Sequence, residues 1–308
     1  MSIHVPHLRA HRTPSVSVLE SLWLEDGRRI CVRTWPGTGD QTIVFLHGLL
    51  DSSEGWAATC ERRDGGDGRP TLRRIAFDIA GFGNSDPPTC GSIDLYAEDI
   101  IAGLNQLGVE RFVLVGHSLG GAIATRIAAL IPDRVESLLL FAPVGFGRIQ
   151  LAELAVRPGV LPVVSLGMPL VLTNRRLVRL GYRLMVANGT RPEEELLDRI
   201  LRAGGQVVAG AREAIRAIAQ SGSGVAGGRP LDYTGPVIAI WGDRDRLVPP
   251  RHRYALQRVL PQAEVEVWSG MGHHPQRERF EDLLAVIRRV AGYDLRPPAE
   301  YVRAQVGA

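Results

Sequence analysis

Short, unbroken apolar runs alternate with helix-length segments along this chain, and that alternation restricts its fold more than any other feature. Residues 42–46 form one such run, ending in His47-Gly48, and strand-like segments follow at 75–77, 111–115 and 135–141. A run that is apolar at every position has no face to offer to water. It suits a strand covered on both sides within a parallel sheet. The segments between the runs, 93–107 and 119–131, read as helices. Strand–helix alternation implies βαβ units, and right-handed crossovers then place helices on both faces of the sheet. Two β-like runs come first, 16–24 and 29–35, joined through Glu25-Asp26-Gly27, a hairpin signal. Residues 1–14 read as an N-terminal arm.

The rhythm breaks between 144 and 229. Helical stretches at 148–156, 170–186 and 193–218 follow one another with no convincing strand. A Gly/Ser-rich stretch at 221–228 then resists regular structure. Alternation resumes with a strand at 237–241, a helix at 252–259, a strand at 264–268 and a last helix at 275–290. The expectation is an α/β fold with a mostly parallel sheet of about eight strands flanked by helices. Its core domain comprises residues 1–143 and 230–308, and a helical cap, 144–229, is inserted between them.

Composition acts mainly by exclusion. The chain has 308 residues, 45% of them hydrophobic, enough for one large core with an insertion. No stretch approaches the roughly 20 uninterrupted apolar residues of a membrane span. The N-terminal residues include His4, Pro6, His7, Arg9 and His11 in place of an apolar signal core, so a cytoplasmic location is expected. There is no lysine, and all 36 basic residues are arginine. That removes a P-loop lysine, a Schiff-base lysine and a Ser–Lys pair at once. The net charge of +3 is dispersed among 33 acidic residues, which argues against a nucleic-acid partner. Cys31, Cys60 and Cys90 are odd in number and lack C-x-x-C spacing, which argues against a disulfide framework or a structural zinc site.

The sharpest chemical signal is Gly116-His117-Ser118-Leu119-Gly120, a G-x-S-x-G pattern between the run at 111–115 and a helix rich in Ala and Ile. A serine at a tight strand-to-helix turn needs small neighbours, and the turn projects its hydroxyl above the carboxyl edge of the sheet. A serine hydroxyl is a weak nucleophile at neutral pH, so a base must take its proton. His4, His7 and His11 lie in the N-terminal arm, and His117 is expected to point into packing. His273 and His274 stand in a loop between a strand and the last helix, able to carry an imidazole over the sheet edge. Spacing alone does not choose between them. A carboxylate should orient that imidazole. Asp243 and Asp245 both follow the strand at 237–241, at the edge where sites of α/β sheets gather. Asp243 suits bonding within its own turn, whereas Asp245 has three residues in which the chain can turn back. The oxyanion of acyl transfer needs main-chain donors, each about 3 to 4 kcal/mol of stabilisation. Leu119, after the serine, and Leu49, after the strand ending at Leu46, are the candidates.

Taken together, His47-Gly48, the segment from Asp78 through Gly81-Phe82-Gly83 to Ser85-Asp86, Gly116-His117-Ser118-Leu119-Gly120-Gly121, Trp241-Gly242-Asp243-Arg244-Asp245 and Gly272-His273-His274-Pro275 resemble the α/β-hydrolase superfamily. They occur in its order and span about 42 to 290, and the resemblance is to its serine-nucleophile members with a cap domain. It implies that the acid, three residues after the glycine of W-G-x-x-D, is Asp245. It implies that the base, directly after the glycine of G-x-G-H, is His273. The chain order Ser, Asp, His agrees. Asp78 and Ser85 match a wall-forming loop and take a structural role. Departures bear on substrate: Ser118 stands where dehalogenases and epoxide hydrolases carry aspartate. His274 replaces the tryptophan common in carbon–carbon bond hydrolases, and Leu119 replaces the methionine common in haloperoxidase-like members.

The first half of the cap is notably apolar, with Leu151, Leu154, Val160, Leu161, Val163, Val164, Leu166, Met168, Leu170, Val171 and Leu172. Apolar pocket walls then suggest a small-molecule substrate: a medium-sized, largely hydrophobic ester, thioester or lactone. Acyl transfer or carbon–carbon bond hydrolysis on the same triad, and ligand binding without turnover, are the alternatives. The chemistry calls for no metal or organic cofactor. A homo-oligomer is compatible with everything above.

Overall fold

The computed structural model describes residues 17–62, 72–185, 194–222 and 224–292. Eight strands form one sheet in the order β1-β2-β4-β3-β5-β6-β7-β8. They are β1 (Val18–Trp23), β2 (Arg29–Trp35), β3 (Thr42–Leu46), β4 (Arg73–Asp78), β5 (Phe112–His117), β6 (Val135–Phe141), β7 (Val237–Gly242) and β8 (Glu264–Trp268). The β1–β2 and β2–β4 pairs are antiparallel, and every pair from β4 through β3 and β5 to β8 is parallel. The ten α-helices among the described residues are α1 (Ala57–Glu61), α2 (Ile93–Gln106), α3 (Leu119–Leu130), α4 (Gln150–Ala155), α5 (Leu161–Leu172), α6 (Arg175–Met185), α7 (Glu194–Ser221), α8 (Arg253–Val259), α9 (Pro275–Glu278) and α10 (Phe280–Val290).

Unbroken apolar runs became doubly covered strands. All five residues of β3 and all six of β5 and β7 are buried. Successive side chains on a strand point to opposite faces, and the core divides accordingly. Val44 and Leu46 join one cluster, with Leu104 of α2, Ile123 of α3 and Leu256 of α8. Ile43 and Phe45 join the other, with Cys60 of α1 and Leu283 and Ile287 of α10. Where a strand faces water the pattern loosens: β1, at the sheet edge, is mostly exposed. Its hairpin turns at Gly27 with a φ of 81°. Helix α2 starts at Ser92, whose side chain accepts the backbone N–H groups of Asp94 and Leu95.

The segment 144–229 contributes no strand among the described residues and carries α4 to α7. It differs in detail from the sequence expectation. Residues 161–172 form a helix in spite of Pro169, and the helix expected at 170–186 begins later, at Arg175. The Asn174 side chain explains that start, because its Oδ1 accepts the N–H groups of Arg176 and Leu177. Helix α7 is kinked at Gly204, and part of the Gly/Ser-rich stretch makes a short 3-10 turn, Val225–Gly228. The N-terminal arm at 1–14 and the Gly-rich residues 63–70 lie outside the described residues. No disulfide joins Cys31, Cys60 and Cys90.

Helix α7 rests on the loop after β4 with backbone against backbone. A Cβ on Gly210 would come within 2.2 Å of the Gly81 carbonyl oxygen. Nearby, the Gly91 N–H donates to Glu213 Oε2 at 3.1 Å. Only glycine on both sides allows so close an approach.

Candidate active site

The carboxyl ends of β3, β5, β6, β7 and β8 form one rim, and the candidate residues are on the loops leaving it. Ser118 is the single residue between β5 and α3, with φ 54° and ψ −114°. The small residues of the pattern have a direct steric reason. A Cβ on Gly116 would meet the Gly120 carbonyl oxygen at 2.5 Å, and one on Gly120 would meet the Leu46 carbonyl oxygen at 2.4 Å. Two other non-glycine residues have positive φ, Leu50 after β3 and Ala142 after β6. Among the described residues, backbone strain outside glycine is thus confined to this rim, the pattern expected where a site is preorganised. Main-chain bonds hold the turn in place. Ser118 N–H donates to the Phe141 carbonyl at 2.9 Å, Gly120 N–H to that of His47 at 3.1 Å, and Val144 N–H to that of Ser118 at 3.1 Å.

The loop after β3 lies against the serine. A Cβ on Gly48 would be 3.2 Å from Ser118 Cβ, which brings the backbone just before Leu49 beside the serine. His47 is buried and braces this loop: its Nδ1 donates to the Gly48 carbonyl at 2.7 Å while its Nε2 accepts the Ile79 N–H at 3.0 Å. Asp78 and Ser85 do what a wall loop requires. Asp78 accepts the N–H groups of Ser53 and Asn84, and Ser85 Oγ donates to the Asp78 carbonyl.

His273 and Asp245 are both buried, and His273 Nδ1 donates to Asp245 Oδ2 at 2.7 Å. The other carboxylate oxygen, Oδ1, accepts the N–H groups of Leu247 at 2.9 Å and Val248 at 2.8 Å. With its Nδ1 proton directed at a carboxylate, the imidazole presents a bare Nε2, the form a general base needs. Asp243 behaves differently, accepting the Gly270 N–H and the Ser269 hydroxyl across the turn. His274 stacks its ring on Tyr182 of α6, with centroids 5.5 Å apart.

His117 points into packing, as expected, and does more than fill space. Its ring lies 4.9 Å from that of His273, centroid to centroid, and its Nε2 donates to the His273 carbonyl at 2.7 Å. The residue beside the candidate nucleophile therefore holds the backbone of the candidate base. Burial, reinforced by His273, pushes the His117 pKa down to about 3. Burial likewise lowers His274 well below its ordinary value, with His117 and Arg277 adding to the effect.

The sequence reading missed one cluster. Asp51, just past the loop of Leu49, lies 3.7 Å from Arg277 of α9 and 4.0 Å from Arg199 of α7, and Arg199 is 3.6 Å from Glu54. Burial raises the Asp51 pKa, but Arg277, His47 and Arg199 outweigh it and hold the carboxyl below its usual range. These charges tie the loop after β3 to α7 and α9. No local motif announces them, since the partners come from three distant segments.

Buried His117 carries a pH dependence whose sign can be worked out. It is neutral when folded and takes up a proton near pH 6.5 once unfolded. The unfolded state therefore binds more protons below that pH, and stability falls as the pH drops from about 6.5 toward 3. It contributes a slope of about 1.4 kcal/mol per pH unit in that window. Thermal melts should show the melting temperature decreasing steadily below pH 6, with His117→Gln giving a shallower slope than the wild type. Identical slopes for the two proteins would mean that His117 is not held neutral by burial.

Among the described residues, no helix is long and apolar enough to cross a membrane, and no group of three metal-ligating side chains converges. A model of the alpha/beta hydrolase family matches residues 43–286. A 2-hydroxy-6-oxononadienedioate/2-hydroxy-6-oxononatrienedioate hydrolase of Paraburkholderia phymatum is 30% identical over 296 residues, covering 92% of this chain and 98% of that protein. The dihydrolipoyllysine-residue acetyltransferase component of the acetoin cleaving system of Cupriavidus necator is 28% identical over 83% of this chain, which spans 65% of that protein's length. Among solved structures, an esterase from Exiguobacterium antarcticum superposes with a TM-score of 0.71 at 21% identity, covering 88% of this chain and 98% of the other. With its eight-stranded sheet, strained serine turn and the span of the family match, the chain belongs to the alpha/beta hydrolase family.

Proposed function

We propose that the chain is a serine hydrolase that cleaves a medium-sized, largely apolar carboxylic ester, thioester or lactone through an acyl-enzyme on Ser118. The observation that carries this reading is the buried 2.7 Å bond from His273 Nδ1 to Asp245, on the same rim as the strained Ser118. In this scheme His273 Nε2 takes the Ser118 proton as Oγ attacks the carbonyl carbon. The N–H groups of Leu49 and Leu119 receive the oxyanion. Neither donates to a protein acceptor among the described residues, which leaves both available. The proton on His273 passes to the departing alcohol or thiol. Water, deprotonated by the same imidazole, then attacks the acyl-enzyme, releasing the acid and restoring the serine.

The apolar preference has changed its support. Leu151, Leu154, Val163, Leu166, Leu170 and Val171, offered by the sequence as pocket walls, are exposed on the cap surface. The rim itself supplies the apolar surroundings instead, with Leu49, Leu50 and Leu247 half-buried against the core. A panel of p-nitrophenyl esters tests the substrate class. Turnover is expected to peak at acyl chains of intermediate length, and a maximum with charged or two-carbon acyl groups would overturn the assignment.

A second reading has one observation in its favour. The Paraburkholderia phymatum relative named as a hydrolase of a 2-hydroxy-6-oxo dienedioate is 30% identical over nearly its whole length. Carbon–carbon bond hydrolysis uses the same serine, and His274 is the residue at which this chain departs from that group. Consumption of a 2-hydroxy-6-oxo dienoate, followed by loss of its visible absorbance, would select this reading over ester hydrolysis.

A further inference from the structure

The cap carries a surface that the hydrolytic site does not use. Between Glu153 and Glu193 the chain contains no acidic residue, and it contains six arginines: Arg157, Arg175, Arg176, Arg179, Arg183 and Arg191. Within this acid-free segment, α5 presents an aliphatic stripe at helical spacing. Val163 is 67% exposed, Leu166 78% and Leu170 70%. Helix α6, packed beside α5, is two-sided in another way. Val178 and Tyr182 are buried, whereas Leu177 and Leu180 are exposed together with Arg176 and Arg183. Arg175 and Arg179 reach inward to Glu194 and Asp198 at the start of α7. The arginines left on the outside are therefore interleaved with leucines and have no acidic neighbour in the segment.

An aliphatic face mixed with arginine is the chemistry of a helix that lies in the interface of an anionic membrane. Contiguous apolar exposure of this kind is uncommon on a surface with no partner. A second copy of the same chain is a poorer occupant, because a two-fold contact would bring one acid-free, arginine-bearing hairpin against another. The placement suits the site as well. Tyr182, on the inner side of α6, stacks on His274 beside His273, so the helix whose outer face carries Arg176 and Arg183 forms part of the roof over the rim. We propose that the α5–α6 hairpin docks the protein on the surface of anionic phospholipid bilayers, its aliphatic stripe entering the headgroup boundary and its arginines pairing with lipid phosphates.

The test is flotation of the full chain with vesicles of phosphatidylcholine alone or mixed equally with phosphatidylglycerol, alongside light scattering without lipid. Wild type is expected to float with the mixed vesicles and to be released by high salt. Arg176→Glu/Arg183→Glu should weaken binding at least tenfold, since each cation near an anionic surface is worth about a fivefold change in affinity. Leu166→Asp/Leu170→Asp should abolish flotation while leaving the melting temperature within a few degrees of the wild type. Arg258→Glu, a charge reversal on α8 of the core, should bind as the wild type does. Failure of the wild type to float with mixed vesicles would overturn the proposal. So would equal binding by all variants, or dimerisation that Leu166→Asp/Leu170→Asp destroys in the absence of any lipid binding. Because flotation needs no turnover, the result does not depend on the catalytic assignment.

Discussion

Ser118→Ala is expected to lower turnover of a p-nitrophenyl ester by a factor on the order of 10⁶, and to abolish labelling by a fluorophosphonate probe. The size of the effect follows from the site's construction. Ser118 is the only residue between β5 and α3, and at a φ of 54° the turn presents a side chain that no neighbour can replace. The adjoining positions are closed to larger residues by the contacts at Gly116 and Gly120. His273→Ala should cost about as much, and the double variant should be scarcely worse than either single one, because nucleophile and base act as a unit. His274→Ala is the informative control. Its ring stacks on Tyr182 and is not bonded to Asp245, so a modest loss is expected. If His274→Ala were the crippling change and His273→Ala the mild one, the base would have been assigned to the wrong residue. If wild type took no label, the chain would be a binder on a hydrolase scaffold.

How much of this could be read from the sequence depended on whether the cause was local. The strands were legible because burial on both faces leaves them almost wholly apolar and free of Asp, Glu and Arg, as β3 and β5 illustrate. The serine turn was legible because its pattern is contiguous in the sequence and Gly116 answers a contact with nearby Gly120, although Gly120 itself answers one with the distant Leu46 carbonyl. Of the bond between His273 and Asp245, the aspartate was favoured by its place after the strand, whereas the choice of His273 over His274 rested on resemblance, since spacing left both open. The segment 144–229 was read less well. Helix α5 contains Gly167 and Pro169, both helix-unfavourable, and its apolar content suggested a pocket wall where the structure has an outward face. The cluster of Asp51, Arg199 and Arg277 was illegible for the opposite reason: each residue is ordinary in its own segment, and only the tertiary fold brings the charges together. His117 lies between these cases. Its burial could be inferred from its place in the turn, but its bond to the His273 carbonyl could not.

Replacing Asp245 by asparagine separates orientation from charge more sharply than removing it. The Oδ1 atom accepts two backbone N–H groups, those of Leu247 and Val248. An asparagine at this position must keep its carbonyl oxygen there, because turning the amide would set its NH₂ group against both donors. The amide nitrogen then faces His273 Nδ1, which must become an acceptor. The imidazole proton moves to Nε2, the atom that receives the Ser118 proton in the proposed mechanism, and the proposed base is held in the wrong tautomer. Asp245→Asn should therefore fold normally, melt within a few degrees of the wild type, and lose a factor on the order of 10⁴ in kcat. KM should change little, since no substrate contact is removed. Asp243→Asn provides the comparison. Its carboxylate bonds the Gly270 N–H and the Ser269 hydroxyl, so its replacement should lower stability slightly and leave kcat within about threefold. A crippled Asp243→Asn beside an active Asp245→Asn would transfer the orienting role to the other aspartate. Full activity in both variants would mean that no carboxylate governs the tautomer of His273.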